Sequence, residues 1–236
     1  YSTSPMGVIN RDLRFYQRSR DPRFLTTTPA EIERVPPAGF RKVWEKVLAS
    51  GPIEVQIFGD FDKVAAIAAL QRSFGALAPR RTAAVSAKQD GAAISGGIPS
   101  SEPVILSHRG DADQAAAVVS WPTGGGSVGI SESRQLEILT QLFTNRLIDA
   151  VRERLGVSYA PYVYSTWPVD LDAGGAITAM AQLSPGDVPV FFATAEEIAA
   201  DLIANPPAPD ELARVIEPLR QQITRAASSS AFFMQE

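Results

Sequence analysis

The sequence has no cysteine and a single histidine among its 236 residues. Without cysteine the chain can form neither a disulfide framework nor a thiolate metal site. A catalytic zinc site usually draws about three protein ligands from His, Cys, Asp and Glu. Because His108 stands alone, no motif with paired histidines can form. We therefore expect no catalytic metal to be bound by these residues.

The sequence also lacks an excess of positive charge and a long apolar run. Lys and Arg number 22 against 26 Asp and Glu, and the formal net charge is −4. The basic residues are scattered, so the charge pattern of a nucleic-acid binder is missing and we exclude nucleic acid as a partner. No stretch reaches the roughly 18 uncharged apolar residues of a membrane-spanning helix, and the first residues do not resemble a signal peptide. The start without Met predicts a fragment of a longer protein.

What the chain does have is two stretches of regular apolar spacing, separated by a segment rich in Ala, Gly, Pro and Ser. That segment, residues 81–102, has the composition of a connector between domains. The first stretch predicts helices at about 1–20, 37–49 and 63–75 and a strand in "IEVQIFGD", with Asp62 capping the last helix. The boundary therefore divides the chain into residues 1–80 and 103–236.

The second stretch predicts the element order β-β-α-β-β-α-α. Its strands lie in "PVILSH", "QAAAVVSW", "SYAPYVYSTW" and "GGAITAMAQL", and its later helices at about 186–204 and 208–229. The long central helix should begin at an N-cap, Ser131 or Ser133, and end at Gly156. This order predicts an α+β fold with a largely antiparallel sheet covered by helices.

Several common types of functional site lack support in the sequence. The glycine-rich loop 123–129, "TGGGSVG", could offer backbone N–H groups to an anion, but it lacks the lysine of a phosphate loop. We interpret it as a mobile loop. No serine has a nucleophile elbow, and the acidic residues Glu196, Glu197 and Asp201 are typical of a solvated helix face.

The remaining candidate is "VRERLGVSYAPYVYS", residues 151–165, where the long helix ends and a strand begins. Arg152 and Arg154 fall in the last helical turn, where cations interact favourably with the helix dipole. Tyr159 has the character of a strand aromatic. The residues alone therefore favour a purely structural interpretation of Arg152 and Tyr159 over a functional one.

The same stretch resembles a signature of a known family. "VRERLGVSYAPYV" is similar to the R-E-x-x-G-x-x-Y motif in the C-terminal half of the pitrilysin or insulinase-type zinc metallopeptidases, which are related to the mitochondrial processing peptidase. Arg152, Glu153, Gly156 and Tyr159 match the motif. "IEVQIFGDFD" looks like the end of a preceding domain in that family.

The resemblance implies a fold and a domain order. Residues 1–80 would be the C-terminal part of a preceding α+β domain and 81–102 a linker. Residues 103–236 would form an α+β peptidase-like domain, similar to those of the mitochondrial processing peptidase, which carries the Arg/Tyr motif. The resemblance also favours a location in the bacterial envelope, such as the periplasm.

The resemblance further implies how the chain takes part in peptide hydrolysis. In that family the first half holds zinc through H-x-x-E-H, and the second half lends the arginine and tyrosine. Arg152 and Tyr159 would bind the backbone of a peptide substrate or stabilise the oxyanion, and Gly156 would turn the chain between them. This sequence has no H-x-x-E-H. The zinc of the complete enzyme would therefore be held by an N-terminal half or by a partner subunit, and this chain alone would be inactive.

Two alternatives stay open at this point. The chain could be a catalytically inactive scaffold or partner subunit of the same fold, in which Arg152 and Tyr159 are a helix cap and a strand aromatic. It could also be a stand-alone peptide- or anion-binding module built around loop 123–129.

Overall fold

The computed structural model describes residues 2–49, 51–79, 94, 96–155 and 160–226. Their contacts form two compact units. One unit takes the described residues up to Thr26 together with those from Ala92 to Leu219, and the other takes those from Thr27 to Gly91 and from Arg220 onward. Most of the linker predicted at 81–102 lies outside the described residues, namely residues 81–93 and 95.

The described part of the smaller unit between Thr27 and Pro79 contains the helices α2 (Pro29–Glu33), α3 (Pro37–Leu48) and α4 (Lys63–Arg72). Helix α2 begins with a capping box between Thr28 and Glu31. Asp62 caps α4 by accepting a hydrogen bond from the backbone N–H of Ala65 at 2.9 Å, so the predicted cap is confirmed.

The strand predicted in "IEVQIFGD" is wrong: residues 53–58 have no regular secondary structure and form no ladder with any described part of the chain. Ile53, Val55 and Ile57 remain 40–44% exposed. An alternating pattern becomes a strand only where a neighbouring strand takes up its backbone hydrogen bonds.

The larger unit is built on a three-stranded antiparallel sheet. Its strands are β1 (Ala115–Gly124), β2 (Tyr162–Thr166) and β3 (Ala173–Leu183), in the order β1-β3-β2. Together with the helices this confirms the predicted α+β class with an antiparallel sheet. "PVILSH" is not a strand, and Ile105 in it is 86% exposed. The described element order is therefore β-α-β-β-α-α.

Two long helices cover one face of this sheet, α5 (Ile130–Leu155) and α6 (Val188–Ala204). Although α5 has 26 residues, neither it nor another helix in the described part is long and apolar enough to cross a membrane. Every residue of the buried cluster is at most 4% exposed; its members are Ala117, Phe143, Leu147, Val151, Val163, Ala179, Ala181, Leu183, Phe191 and Ala195. Burial of each large apolar side chain contributes about 1.5–3 kcal/mol, so this cluster fixes α5 and α6 on the sheet.

The start of α5 differs from the predicted cap. A 3₁₀ turn, Ser127–Gly129, runs directly into the helix at Ile130. Ser131 and Ser133 therefore lie inside the first turn of α5, where neither can be the N-cap, and that prediction is wrong. At the other end α5 runs to Leu155, and Gly156, the predicted C-cap, lies outside the described residues.

Helix α1 (Pro5–Gln17) lies against the opposite face of the sheet. The amide of Gln17 donates to the hydroxyls of Ser120 in β1, at 3.0 Å, and Thr178 in β3, at 2.9 Å. These two residues alternate with strand neighbours that face α5 and α6, so they point to the other side. Residues 2–26 thus belong to the same unit as the sheet, whereas the predicted division of the sequence grouped them with the residues that follow them.

An ion-pair network joins α5, α6 and the last helix, α7 (Pro209–Ala226). Arg146 donates to both carboxylate oxygens of Glu211, at 2.7 and 2.8 Å, and to Asp201 at 2.6 Å. The hydrogen bonds from Arg146 lower the pKa of Glu211 from its ordinary value. A bidentate pair of this kind is geometrically more specific than most surface ion pairs.

We expect Glu211→Gln to lower the free energy of unfolding by about 1 kcal/mol at pH 7, because the charge-assisted pair with Arg146 is lost. Since the pKa of Glu211 is lowered in the folded state, its contribution is complete above the ordinary carboxyl pKa of 4.5 and disappears as the pH falls below it. Urea unfolding at pH 7 and in acid checks this.

The control is Asp210→Asn, which removes a pair with Arg214 in which the two side chains are 77% and 72% exposed. We expect this change to cost less than Glu211→Gln, because exposed ion pairs contribute about 0–1 kcal/mol. Equal effects of the two substitutions, or a Glu211→Gln effect that persists in acid, would contradict the structural role of the network.

Candidate functional site

The predicted site begins at the C-terminal turn of α5, where Arg152 projects away from the core. Val151, its neighbour, is 1% exposed within the apolar cluster, and consecutive helical residues point about 100° apart. The side chain of Arg152 is 66% exposed. A guanidinium N–H group, Nη1, lies 3.7 Å from Asp149, itself 80% exposed. Such a pair contributes about 0–1 kcal/mol and holds Arg152 weakly.

Arg154, two residues further along, is hydrogen-bonded to α6 instead. It donates to the hydroxyl of Thr194 at 2.9 Å and to the carboxylate of Glu197 at 2.5 Å. The hydrogen bond to Glu197 raises the pKa of Arg154. Of the two arginines in the last turn, Arg152 is therefore the more exposed and weakly paired one, whereas Arg154, although 42% exposed, is bound to α6.

The exposed acidic side of α6 also carries ion pairs. Glu197 and Asp201 are 59% and 52% exposed, in line with the predicted solvated face, and they accept hydrogen bonds from Arg154 and Arg146. Sequence reasoning missed the pairing because the partners are 43 and 55 residues apart. The available signal was the four-residue spacing of the two acids, which places them on one side of α6.

The other side of the site is the start of β2, which α5 holds in place. The hydroxyl of Thr144 in α5 accepts a hydrogen bond from the backbone N–H of Val163 at 2.9 Å. Pro161, just before the strand, is fully buried. The chain thus leaves α5 after Leu155 and is fixed again at Pro161. Gly156 and Tyr159 fall between these points and lie outside the described residues, so their roles stay predictions.

Strand β2 contains two tyrosines, Tyr162 and Tyr164, which come after Tyr159 in the sequence and were predicted only as residues of a strand. Tyr162 and Tyr164 lie on the same face of the strand and stack with ring centroids 6.0 Å apart. Tyr162 is 44% exposed, whereas burial raises the pKa of Tyr164. The Tyr-Val-Tyr alternation in the sequence was the signal that both rings share a face.

The described residues offer no place for a metal ion. No group of three or more His, Cys, Asp or Glu side chains comes together among them. His108 uses both ring nitrogens in a turn: Nδ1 accepts from the N–H of Gly110 at 3.1 Å, and Nε2 contacts the carbonyl oxygen of Gln114 at 2.8 Å. The residues present therefore do not fit a catalytic zinc ion.

Comparison with known protein families decides the membership of the chain. Residues 36–219 match the sequence model of the family described as "Peptidase M16 inactive domain". The chain belongs to the M16 peptidase family. This confirms the resemblance to the non-zinc-binding, C-terminal part of the pitrilysin and insulinase-type enzymes. No curated protein sequence matches the chain significantly.

In this M16 inactive domain the glycine-rich loop 123–129 packs tightly against the chain after β2. The indole N–H of Trp167 donates to the carbonyl oxygen of Gly126 at 2.9 Å, and the N–H of Gly126 donates to Pro168 at 2.8 Å. A Cβ atom at Gly129 would overlap the Trp167 ring, and one at Gly125 would overlap the carbonyl oxygen of Leu171. Gly126 also has a φ of 84°, which favours glycine. Close packing therefore accounts for the glycines without a bound anion.

We expect Gly129→Ala to lower the free energy of unfolding by about 1–3 kcal/mol, because the added methyl group must displace the Trp167 ring, which its hydrogen bond to Gly126 holds in place. The matched control is Gly186→Ala, since a Cβ at Gly186 meets nothing within 4 Å. Urea unfolding of both variants measures the difference. If Gly129→Ala were as stable as Gly186→Ala, the packing of Trp167 on the loop would be contradicted.

Proposed function

We propose that the chain is the C-terminal, substrate-binding part of a zinc metallopeptidase that hydrolyses peptide bonds. In this proposal Arg152 and Tyr159 contact the backbone of the peptide near the bond that is cleaved. The observation that carries it is the contrast within one helical turn: Arg154 is hydrogen-bonded to α6, while Arg152 is exposed and paired only weakly.

The chemistry of the two side chains suits this role. A guanidinium has five N–H donors and no acceptor, and a phenol has one O–H donor. Donors of this kind stabilise the negative charge that develops on a peptide carbonyl oxygen during hydrolysis. The pair between Arg152 and Asp149 spans 3.7 Å on an exposed surface, so Arg152 can exchange it for a substrate oxygen at little cost.

We further propose that the zinc ion is held outside these residues. Membership in the M16 inactive domain implies pairing with a catalytic half. That half would lie on the same polypeptide or on a partner subunit. This chain then contributes binding and orientation of the peptide but no metal ligand.

Substitution of Arg152 and Tyr159 in the complete enzyme tests the proposal. We expect Arg152→Ala and Tyr159→Phe each to lower kcat/KM about 10²–10³-fold, the usual cost of removing one donor to an oxyanion. The measurement is steady-state hydrolysis of a peptide by the zinc-bearing half together with this chain. The matched control is Arg214→Ala, an exposed arginine that pairs with Asp210 on α7 and should leave turnover unchanged.

Unchanged turnover in both Arg152→Ala and Tyr159→Phe would refute the proposed role. It would favour the alternative that the chain is a catalytically inactive scaffold or partner subunit of the same fold. In that case the two residues would serve as a helix-end cation and a strand aromatic.

Binding by the chain alone separates the proposal from a stand-alone anion-binding module. We expect titration of the isolated chain with inorganic phosphate to give no binding heat, because the backbone of loop 123–129 is already packed against Trp167 and Pro168. Isothermal titration calorimetry makes the measurement. A saturating isotherm that Gly129→Ala abolishes would instead support the module.

A further inference from the structure

We propose that Arg154 is a positioning residue for Arg152. Its hydrogen bonds to α6 fix the last turn of α5 and so set where the Arg152 guanidinium is presented to the peptide. The inference rests on the proposed function of Arg152, and it assigns a role to a third residue of the motif region.

Arg154 contacts α6 through two separate hydrogen bonds. Its two terminal nitrogens bind different partners on α6: Nη1 donates to Thr194 and Nη2 donates to Glu197. Thr194 and Glu197 are three residues apart, so they lie on the same side of α6. Two hydrogen bonds from one planar group fix its orientation as well as its position.

Thr194, which accepts one of these hydrogen bonds, is held in the core. Thr194 is 0% exposed, and α6 is held in the apolar cluster by Phe191 and Ala195, which flank it. The hydroxyl that receives Arg154 is therefore part of the rigid core and not of a mobile surface. Glu197 adds the opposite charge at the edge of the same contact, where its side chain is 59% exposed.

The C-terminal end of α5 depends on the hydrogen bonds from Arg154 to α6. The apolar contacts of the helix with the described core reach Val151, and the last carbonyl groups of a helix have no partner within the helix. Arg152 pairs with Asp149 on the same helix, so this pair cannot hold α5 against another element. Among the described hydrogen bonds of residues 152–155, those of Arg154 reach α6.

Arg152 lies two residues before Arg154 on α5 and depends on the same anchor. Arg152 and Arg154 lie in the same turn, so any shift of that turn moves both Cα atoms together. A displacement of about 1 Å in a group that contacts the transition state can cost about 10²-fold in rate. Arg154 thus affects hydrolysis through Arg152 without touching the peptide itself.

A double-mutant cycle in the complete enzyme tests this. We expect Arg154→Ala to lower kcat/KM about tenfold when Arg152 is present, and to change it less than about twofold in an Arg152→Ala background. Glu197→Gln keeps the bond to Thr194 and should give a smaller loss, and it serves as the second variant if Arg154→Ala folds poorly. Arg154→Lys keeps the charge and should restore part of the activity.

The control for stability is Glu211→Gln, which weakens the other ion-pair network on α5 at Arg146. It should lower the free energy of unfolding. It should change kcat/KM by less than about twofold, and by the same factor whether residue 152 is Arg or Ala. Thermal unfolding of every variant separates loss of folded protein from loss of turnover.

Two results would overturn the inference while leaving the proposed function intact: no loss of activity in Arg154→Ala and Glu197→Gln, or the same loss with and without Arg152. Failure of the proposed function has a different signature, because the single variant Arg152→Ala would then hydrolyse the peptide at the unchanged rate. In that case the positioning role is refuted as well.

Discussion

The burial of one side of α5 against the sheet is the interaction on which the rest of the larger unit depends. Phe143, Leu147 and Val151 follow one another at four-residue spacing and enter the apolar cluster shared by the sheet and α6. Several such side chains, each stabilising by about 1.5–3 kcal/mol, set the rotation of α5 about its axis. That rotation decides which residues of its last turn can face solvent, and it turns Arg152 outward.

Polar contacts then complete the placement that apolar burial begins. Thr144 joins α5 to the first residues of β2, and Arg146 and Arg154 join it to α6 at two points. These contacts are individually modest, but they are directional. Burial alone would allow α5 to slide or rotate slightly, whereas hydrogen bonds of fixed length restrict both motions. The C-terminal end of α5 and the start of β2 flank the predicted site. Both are therefore held by hydrogen bonds as well as by apolar packing.

The proposed division of roles between this chain and a zinc-bearing half is based on the side chains that this chain offers. The chain has one histidine and no cysteine, and the histidine is committed to a turn at residues 108–114. What the larger unit offers is an exposed guanidinium on a rigid helix end, close in sequence to a tyrosine-rich strand. In the proposed function these groups bind and orient a peptide, and the membership of the chain in the M16 family supports that proposal.

Much of this could be predicted from the sequence because it depends on local order. Helical spacing located α3, α4, α5, α6 and α7, the side chain of Asp62 marked a helix start, and the motif at residues 152–159 predicted the family. The absence of an H-x-x-E-H motif can be read directly from the sequence. Tertiary structure decided the rest, because partners distant in the chain cannot be recognised by spacing. Residues 53–58 alternate like a strand, and "PVILSH" has strand-like composition, yet neither has a neighbouring strand in the described chain. Arg154 differs from Arg152 because α6 places Thr194 and Glu197 beside it.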